Sequence, residues 1–158
     1  MGVVLDSSVI LKALLPPPKN LKKEVYQREV ETHKKCQRIL EIVEDKDIEI
    51  HVPAVVTVEV AGVIKRITGD KSRASLVSET IAETFRLHYD AELLEKATEI
   101  AALTGASGFD AYFIATAYLL DIPLLTDDKG MHLRAQELGI NSTLIRETLL
   151  EKIEEILR

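Results

Sequence analysis

The stretch Val3-Val4-Leu5-Asp6-Ser7-Ser8 decides the fold class. Three consecutive apolar residues, two of them β-branched, suit a short strand covered on both faces, as in a parallel sheet. The run stops on an acid, and Ser7-Ser8 offer N-cap chemistry for a helix from Val9 to Leu15. Pro16-Pro17-Pro18 ends that helix in a stiff loop. A long helix follows from about Leu21 to Val43, with Cys36, Ile39, Leu40 and Val43 on one stripe.

The same alternation continues down the chain. Ile48 to Val52 reads as a second strand, and Pro53 opens a helix whose Val56, Val60, Val63, Ile64 and Ile67 share a face before Gly69 closes it. Its valines are weak helix formers, so periodicity carries this assignment. Lys71 to Glu83 forms the next helix on Ala74, Val77 and Ile81. Phe85 to Tyr89 is a third strand, and Asp90 caps a helix that runs to Thr104 and stops at Gly105. Ser107-Gly108-Phe109-Asp110 starts another, carrying Ala111, Ile114, Ala115 and Tyr118. Pro123 to Thr126 is a fourth strand ending at Asp127-Asp128, followed by a helix from Met131 to Leu138. Thr143 to Ile145 is a final strand, and Leu149, Leu150, Ile153, Ile156 and Leu157 mark a terminal amphipathic helix. Strands and helices in alternation predict a three-layer α/β/α sandwich with a mainly parallel central sheet, in one domain over residues 1–158.

Composition narrows the function classes. With 46% hydrophobic and 29% charged residues the chain is a folding sequence, and with 4% aromatics its core must be built from Leu, Ile, Val and Ala. A net charge of −6 argues against a chain-wide phosphate-binding surface. Basic residues do gather locally, as Lys19, Lys22, Lys23, Arg28, Lys34, Lys35 and Arg38, with Lys65, Arg66, Lys71 and Arg73 elsewhere; a solvated helix face is their plainest reading. The lone Cys36 excludes an internal disulfide and a cysteine zinc cluster, and reads as a structural thiol. His33, His51, His88 and His132 lack metal-ligand spacing and read as structural or surface residues, while Tyr112 and Tyr118 read as core. No apolar run reaches membrane-spanning length and no basic region precedes the first one, so a cytoplasmic protein is expected.

The chemistry lies in the acids. Sites in open parallel sheets form beyond the carboxyl ends of the strands. Asp6 stands there after the first strand, and Asp127-Asp128 after the fourth. Glu59 lies among Val55, Val58, Val60 and Val63, and Asp110 sits in a first helical turn beside Phe109 and Ala111. Burying a carboxylate among apolar groups is costly unless something pairs with it, and no Lys or Arg lies within a helical turn of Glu59 or Asp110. Unpaired acids brought together raise one another's pKa values, a conflict that a divalent cation removes. Hard oxygen ligands suit Mg²⁺ or Mn²⁺. Each acid alone has a plainer reading: a strand-end turn for Asp6, a solvent-facing helix residue for Glu59, a capping box for Ser107 to Asp110, an acidic turn for Asp127-Asp128.

Four segments together resemble a PIN-domain nuclease over nearly the whole chain: Val4-Leu-Asp-Ser-Ser-Val-Ile-Leu11, Pro53-Ala-Val-Val-Thr-Val-Glu-Val60, Gly108-Phe-Asp-Ala-Tyr-Phe-Ile-Ala115 and Leu124-Leu-Thr-Asp-Asp-Lys129. The resemblance implies that Asp6, Glu59, Asp110 and Asp128 are the catalytic, metal-binding acids, with Ser7, Thr126 and Asp127 as helpers. Where the family often has Asn, this chain has Ser8, which weakens any role for that position. By the same resemblance the activity would be Mg²⁺- or Mn²⁺-dependent endonuclease cleavage of single-stranded RNA. Small members are often VapC-type toxins, which implies a homodimer and an antitoxin whose basic segment blocks the site.

Two other enzyme-like readings start from a strand-terminal Asp. An Asp-nucleophile phosphatase wants a second Asp two residues on, where Ser8 stands. A phospho-accepting receiver needs an acidic pair after the first strand and a strand-end Lys, and neither is evident. A non-catalytic PIN-like scaffold that binds RNA or a protein is the remaining alternative.

Overall fold

The computed structural model describes residues 1–158. Five short strands, β1 (Gly2–Leu5), β2 (Glu49–Pro53), β3 (Arg86–His88), β4 (Leu124–Thr126) and β5 (Ser142–Leu144), form one sheet in the order β3-β2-β1-β4-β5. Every neighbouring pair is parallel, so the sheet is wholly rather than mainly so. The helices are α1 (Ser7–Leu14), α2 (Lys23–Asp45), α3 (Val56–Thr68), α4 (Lys71–Thr84), α5 (Asp90–Thr104), α6 (Gly108–Leu120), α7 (Lys129–Glu137) and α8 (Leu150–Ile156). They pack in two groups, α1 to α4 with α8 and α5 to α7, which completes the α/β/α sandwich.

The strands are apolar on both faces because both are covered. Val3, Val4, Leu5, Leu124 and Leu125 are fully buried. Helix α6 lies against β1, β2 and β4, and it is buried nearly all round: Ala111, Phe113, Ile114, Ala115, Thr116 and Ala117 all lose their solvent. Its alanines let a helix approach the sheet closely, and the Thr116 hydroxyl is satisfied by donating to the Tyr112 carbonyl at 2.8 Å. Cys36 is buried in the same core, and burial pushes its thiol up to about 12, so it is the structural thiol expected from the sequence.

Several local expectations change. Asp6, not Ser7-Ser8, caps α1, accepting the Val9 N–H at 3.2 Å. Tyr89 rather than Asp90 is the N-cap of α5, and Asp128 caps α7 two residues earlier than the apolar pattern suggests. The predicted stripes also run past the buried zone. On α3, Val56, Val60 and Ile64 are buried while Ile67 is 66% exposed, and Leu149 is 70% exposed at the cap of α8. Tyr118 is exposed instead of core, with the Lys96 ammonium 4.8 Å from its ring centre. Periodicity fixes which face a residue occupies, but not where along the helix the neighbouring element ends.

Topology then selects the site. From β1 the chain crosses to β2 on one side, and β4 later pairs on the other side of β1. The crevice beyond the carboxyl ends of β1 and β4 is the switch point where α/β proteins place ligands. In this register Leu5 stands opposite Leu125, so Asp6 and Thr126 emerge side by side.

Candidate active site

Asp6 is 1% exposed, and both of its carboxylate oxygens are hydrogen-bonded within the chain. One carboxylate oxygen accepts the Ser8 hydroxyl at 2.5 Å and the Val9 N–H at 3.2 Å. The other accepts the Thr126 hydroxyl at 2.5 Å. Burial raises the Asp6 carboxyl from 3.8 to about 6; the bonds from Ser8, Thr126 and Val9 oppose that rise, and the charge of Asp128 adds to it. Thr126 does two jobs at once, because its oxygen also accepts the Asp128 N–H at 2.9 Å. Asp128 is itself exposed, and one of its oxygens caps α7 by accepting the Met131 N–H at 2.8 Å.

Asp110 enters from the first turn of α6, half-buried. Burial and the charge of Asp128 hold its carboxyl above the usual range, against the lowering influence of Ser107 and Arg134. No cap bond is made by the Ser107 side chain, so the plain capping explanation of this segment does not account for Asp110. Arg134 is a cation the sequence could not place there: it arrives from α7, and its Nε donates to the Thr104 carbonyl at 3.3 Å.

Glu59 lies on the first turn of α3 and reaches to the start of α1. One oxygen accepts the Ser7 hydroxyl at 2.7 Å, which ties Glu59 to the residue that follows Asp6. The other oxygen is buried with no hydrogen-bond partner at all. Its valine surroundings are less dry than the sequence implies, since Val58 is 69% exposed. An orphaned buried carboxylate oxygen costs on the order of 1–3 kcal/mol or more and needs an explanation.

Asp127 has a different environment. Its buried side chain meets Lys12 at 2.5 Å and Arg146 at 3.1 Å, and the Arg146 backbone N–H adds a bond at 2.9 Å. Burial would raise this carboxyl, but Arg146 and Lys12 outweigh burial and hold it below its usual value. Lys12 in turn is held by Glu29 at 2.8 Å. Ser8, discounted on the sequence, joins the two systems: its hydroxyl donates to Asp6 and accepts the Asp127 N–H at 3.0 Å. Ser8, Lys12, Glu29 and Arg146 carried no sequence signal, because their partners lie up to 119 residues away or on other elements.

The structure therefore places Asp128 within electrostatic reach of both Asp6 and Asp110 and sets Glu59 beside Ser7. No group of three or more acidic, histidine or cysteine side chains is already placed to hold a metal ion. Both Asp6 oxygens are occupied by hydroxyls, and Asp128 is turned toward its helix cap. The donor set is nonetheless all hard oxygen, and the partnerless Glu59 oxygen fits a cation well. The basic residues of α2 face other tasks: Lys35 donates to the Ile145 and Thr148 carbonyls at 3.2 and 2.8 Å, and Arg38 pairs with Glu41 and Glu154. No helix is long and apolar enough to cross a membrane.

Comparison with known proteins agrees with this architecture. No curated protein matches the chain. Among solved structures, "FitAcB from Neisseria gonorrhoeae" superposes with a TM-score of 0.57 at 16% identity, covering 92% of this chain and 99% of that one. At that identity the likeness is one of fold. The PIN domain model matches residues 3–137, which takes in all four acids. The chain belongs to the PIN domain family.

Proposed function

We propose that this protein is a divalent-metal-dependent endoribonuclease acting on single-stranded RNA, with Asp6, Glu59, Asp110 and Asp128 as its metal-holding acids. PIN domains are generally nucleases, and the observation that carries the reading here is the buried, unpartnered oxygen of Glu59 at the edge of an acid-lined switch point. Mg²⁺ or Mn²⁺, when bound, neutralises phosphoryl charge and lowers the pKa of water. The chain's own residues supply position. Thr126 and Ser8 fix the Asp6 carboxylate, Ser7 fixes Glu59, and Asp128 is held at the N-cap of α7 by the Met131 N–H. Phe109, 49% exposed and adjacent to Asp110, offers a ring on which an unpaired base can stack. Asp127 supports the site through its ion pairs and is not assigned as a ligand.

Glu59→Gln provides the first test, since it keeps the Ser7 contact and removes the charge that a cation would need. Cleavage of an unstructured RNA in Mn²⁺ should fall by about 100-fold, the size of effect seen when one charge-stabilising group is lost, and EDTA should abolish wild-type cleavage. Cleavage that persists in EDTA, or is unchanged in the variant, would rule the reading out.

A second reading has its own support. Because both Asp6 oxygens are already bonded, a scaffold that binds RNA or protein without cutting is consistent with the site. RNA retention without metal-stimulated cleavage would favour it.

The biological role follows the resemblance to VapC-type toxins: a toxin whose antitoxin directs a basic segment at the acids. Self-association is part of this proposal. Leu103, Tyr118, Leu119 and Leu120 are exposed apolar side chains on the adjacent helices α5 and α6. Sedimentation at micromolar concentration should give a dimer, and Leu119→Glu should shift it to monomer; a wild-type monomer at all concentrations excludes that surface as a self-interface.

A further inference from the structure

A second polar constellation lies on β2 and the edge strand β3, built from residues outside the acid cluster. His51 Nδ1 and His88 Nε2 face one another at 3.0 Å, with ring centres 5.3 Å apart and planes inclined by 25°. Each ring turns its other nitrogen to a carboxylate: His51 Nε2 lies 3.6 Å from Glu49, and His88 Nδ1 lies 3.7 Å from Glu92. The order in space is acid, imidazole, imidazole, acid.

The arrangement follows from register. His51 and Arg86 are paired across β2 and β3, and His88 is two residues beyond Arg86, so both imidazoles share one face. On the next strand, Gly2 leaves room for the His51 ring. A Cβ at that position would come within 2.9 Å of His51 Cδ2 and Nε2. Arg86 is engaged with Glu49 at 2.8 Å, and the N-terminal ammonium also acts on that carboxylate.

Hydrogen counting exposes a vacancy in the bonding. Two neutral imidazoles carry one N–H each. The chain has three gaps: Glu49 to His51, His51 to His88, and His88 to Glu92. The 3.0 Å contact is a hydrogen bond in which one ring donates to the other, so one outer nitrogen is left turning a lone pair toward its carboxylate. A cation between the rings lets that shared proton sit on the outer nitrogen instead, so that both outer N–H groups face the carboxylates. Imidazole nitrogens at about 2.0–2.1 Å from a tetrahedral Zn²⁺ stand roughly 3.3 Å apart, so a few tenths of an ångström of opening suffices. An imidazole that ligates a metal through one nitrogen and donates the other N–H to a carboxylate is the recurrent outer-shell arrangement of metal sites.

We propose that His51 and His88 form a second metal site, a two-histidine clip for a borderline transition cation such as Zn²⁺ or Ni²⁺. Glu49 and Glu92 orient the rings, water completes the coordination, and the cation ties the edge strand β3 to β2. The clip stands or falls independently of the nuclease reading, because it uses nitrogen ligands and none of the four acids.

Calorimetric titration of the EDTA-stripped, dialysed full chain with ZnCl₂ and with NiCl₂, in excess Mg²⁺ to occupy hard-oxygen sites, tests it. The wild type should take up one equivalent, and Asp6→Asn should do the same. Glu92→Gln, which keeps both nitrogens, should weaken binding by roughly 10–100-fold, and His88→Gln by at least that much. Imidazole ¹⁵N spectra of the wild type give an answer that needs no variant: His51 Nδ1 and His88 Nε2 should shift on adding Zn²⁺, while His33 and His132 stay in place. No uptake under Mg²⁺, equal uptake by His88→Gln, or imidazole signals that respond to protons but not to metal would each overturn the assignment.

Discussion

Asp6→Asn should abolish metal-dependent RNA cleavage and at the same time make the metal-free protein more stable at neutral pH. The two effects have one cause. Asp6 is buried, and its carboxyl is raised from 3.8 to about 6 because burial penalises the charged form more than its three hydrogen bonds favour it. A group whose folded pKa lies above its unfolded value contributes stability at low pH and loses that contribution as pH rises through the folded value. For Asp6 the loss therefore falls between about pH 4 and 6, and at pH 7 it amounts to about 1–3 kcal/mol. Asn keeps the shape, and its amide can point at Thr126, whose oxygen has capacity for a further donor. In EDTA at pH 7 the variant should melt several degrees above the parent, at about 2–4 °C per kcal/mol for a chain of this size. At pH 4 the two melts should coincide. With Mn²⁺ present, cleavage should drop by about 100-fold or more, since a charge that would hold the cation is gone. A variant that melts lower at pH 7, or cuts at the parental rate, contradicts the placement of Asp6 in the site.

Asp127→Ala should do the opposite, costing stability more than chemistry. The Asp127 side chain is fully buried between Lys12 and Arg146, which are only 28% and 24% exposed. Its removal leaves two cations facing each other with only Glu29 in reach of Lys12, and strips the Arg146 backbone N–H of its acceptor. Breaking a buried pair from one side costs about 3–5 kcal/mol, and partial exposure of the partners puts this case near 3. The midpoint of thermal unfolding should fall by about 6–12 °C. Asp127→Asn, which retains an acceptor for Arg146, should lose less. Since Arg146 and Lys12 hold this carboxyl below its usual value, its contribution is present at neutral pH and fades only as pH falls below the ordinary carboxylate range. The gap between parent and Ala variant should narrow there, and a gap independent of pH would show that packing, not charge, sets the cost.

These expectations separate two adjacent acids that look alike in the sequence. Asp127 and Asp128 both follow β4, yet alternation at the strand end turns one into the protein against Lys12 and Arg146 and the other outward to cap α7. The local pattern could not divide them, because the cations that claim Asp127 come from α1 and from the turn after β5.

By itself the sequence determined the alternation of strands and helices, the burial of Val3 to Leu5 and of Leu124-Leu125, and the emergence of Asp6 and Asp128 at strand ends. Those features are set locally, by runs of apolar residues and by the polar turn that stops each run. Tertiary structure alone decided which acids meet. The register of Leu5 on Leu125 puts Thr126 on Asp6, the fold of α3 brings Glu59 to Ser7, and α7 delivers Arg134 toward Asp110. It also assembled the His51–His88 pair, whose members read singly as structural or surface residues. Contacts of this kind join residues tens to more than a hundred positions apart, and no local propensity or period encodes them; they exist only once the parallel sheet has fixed its strand order and register.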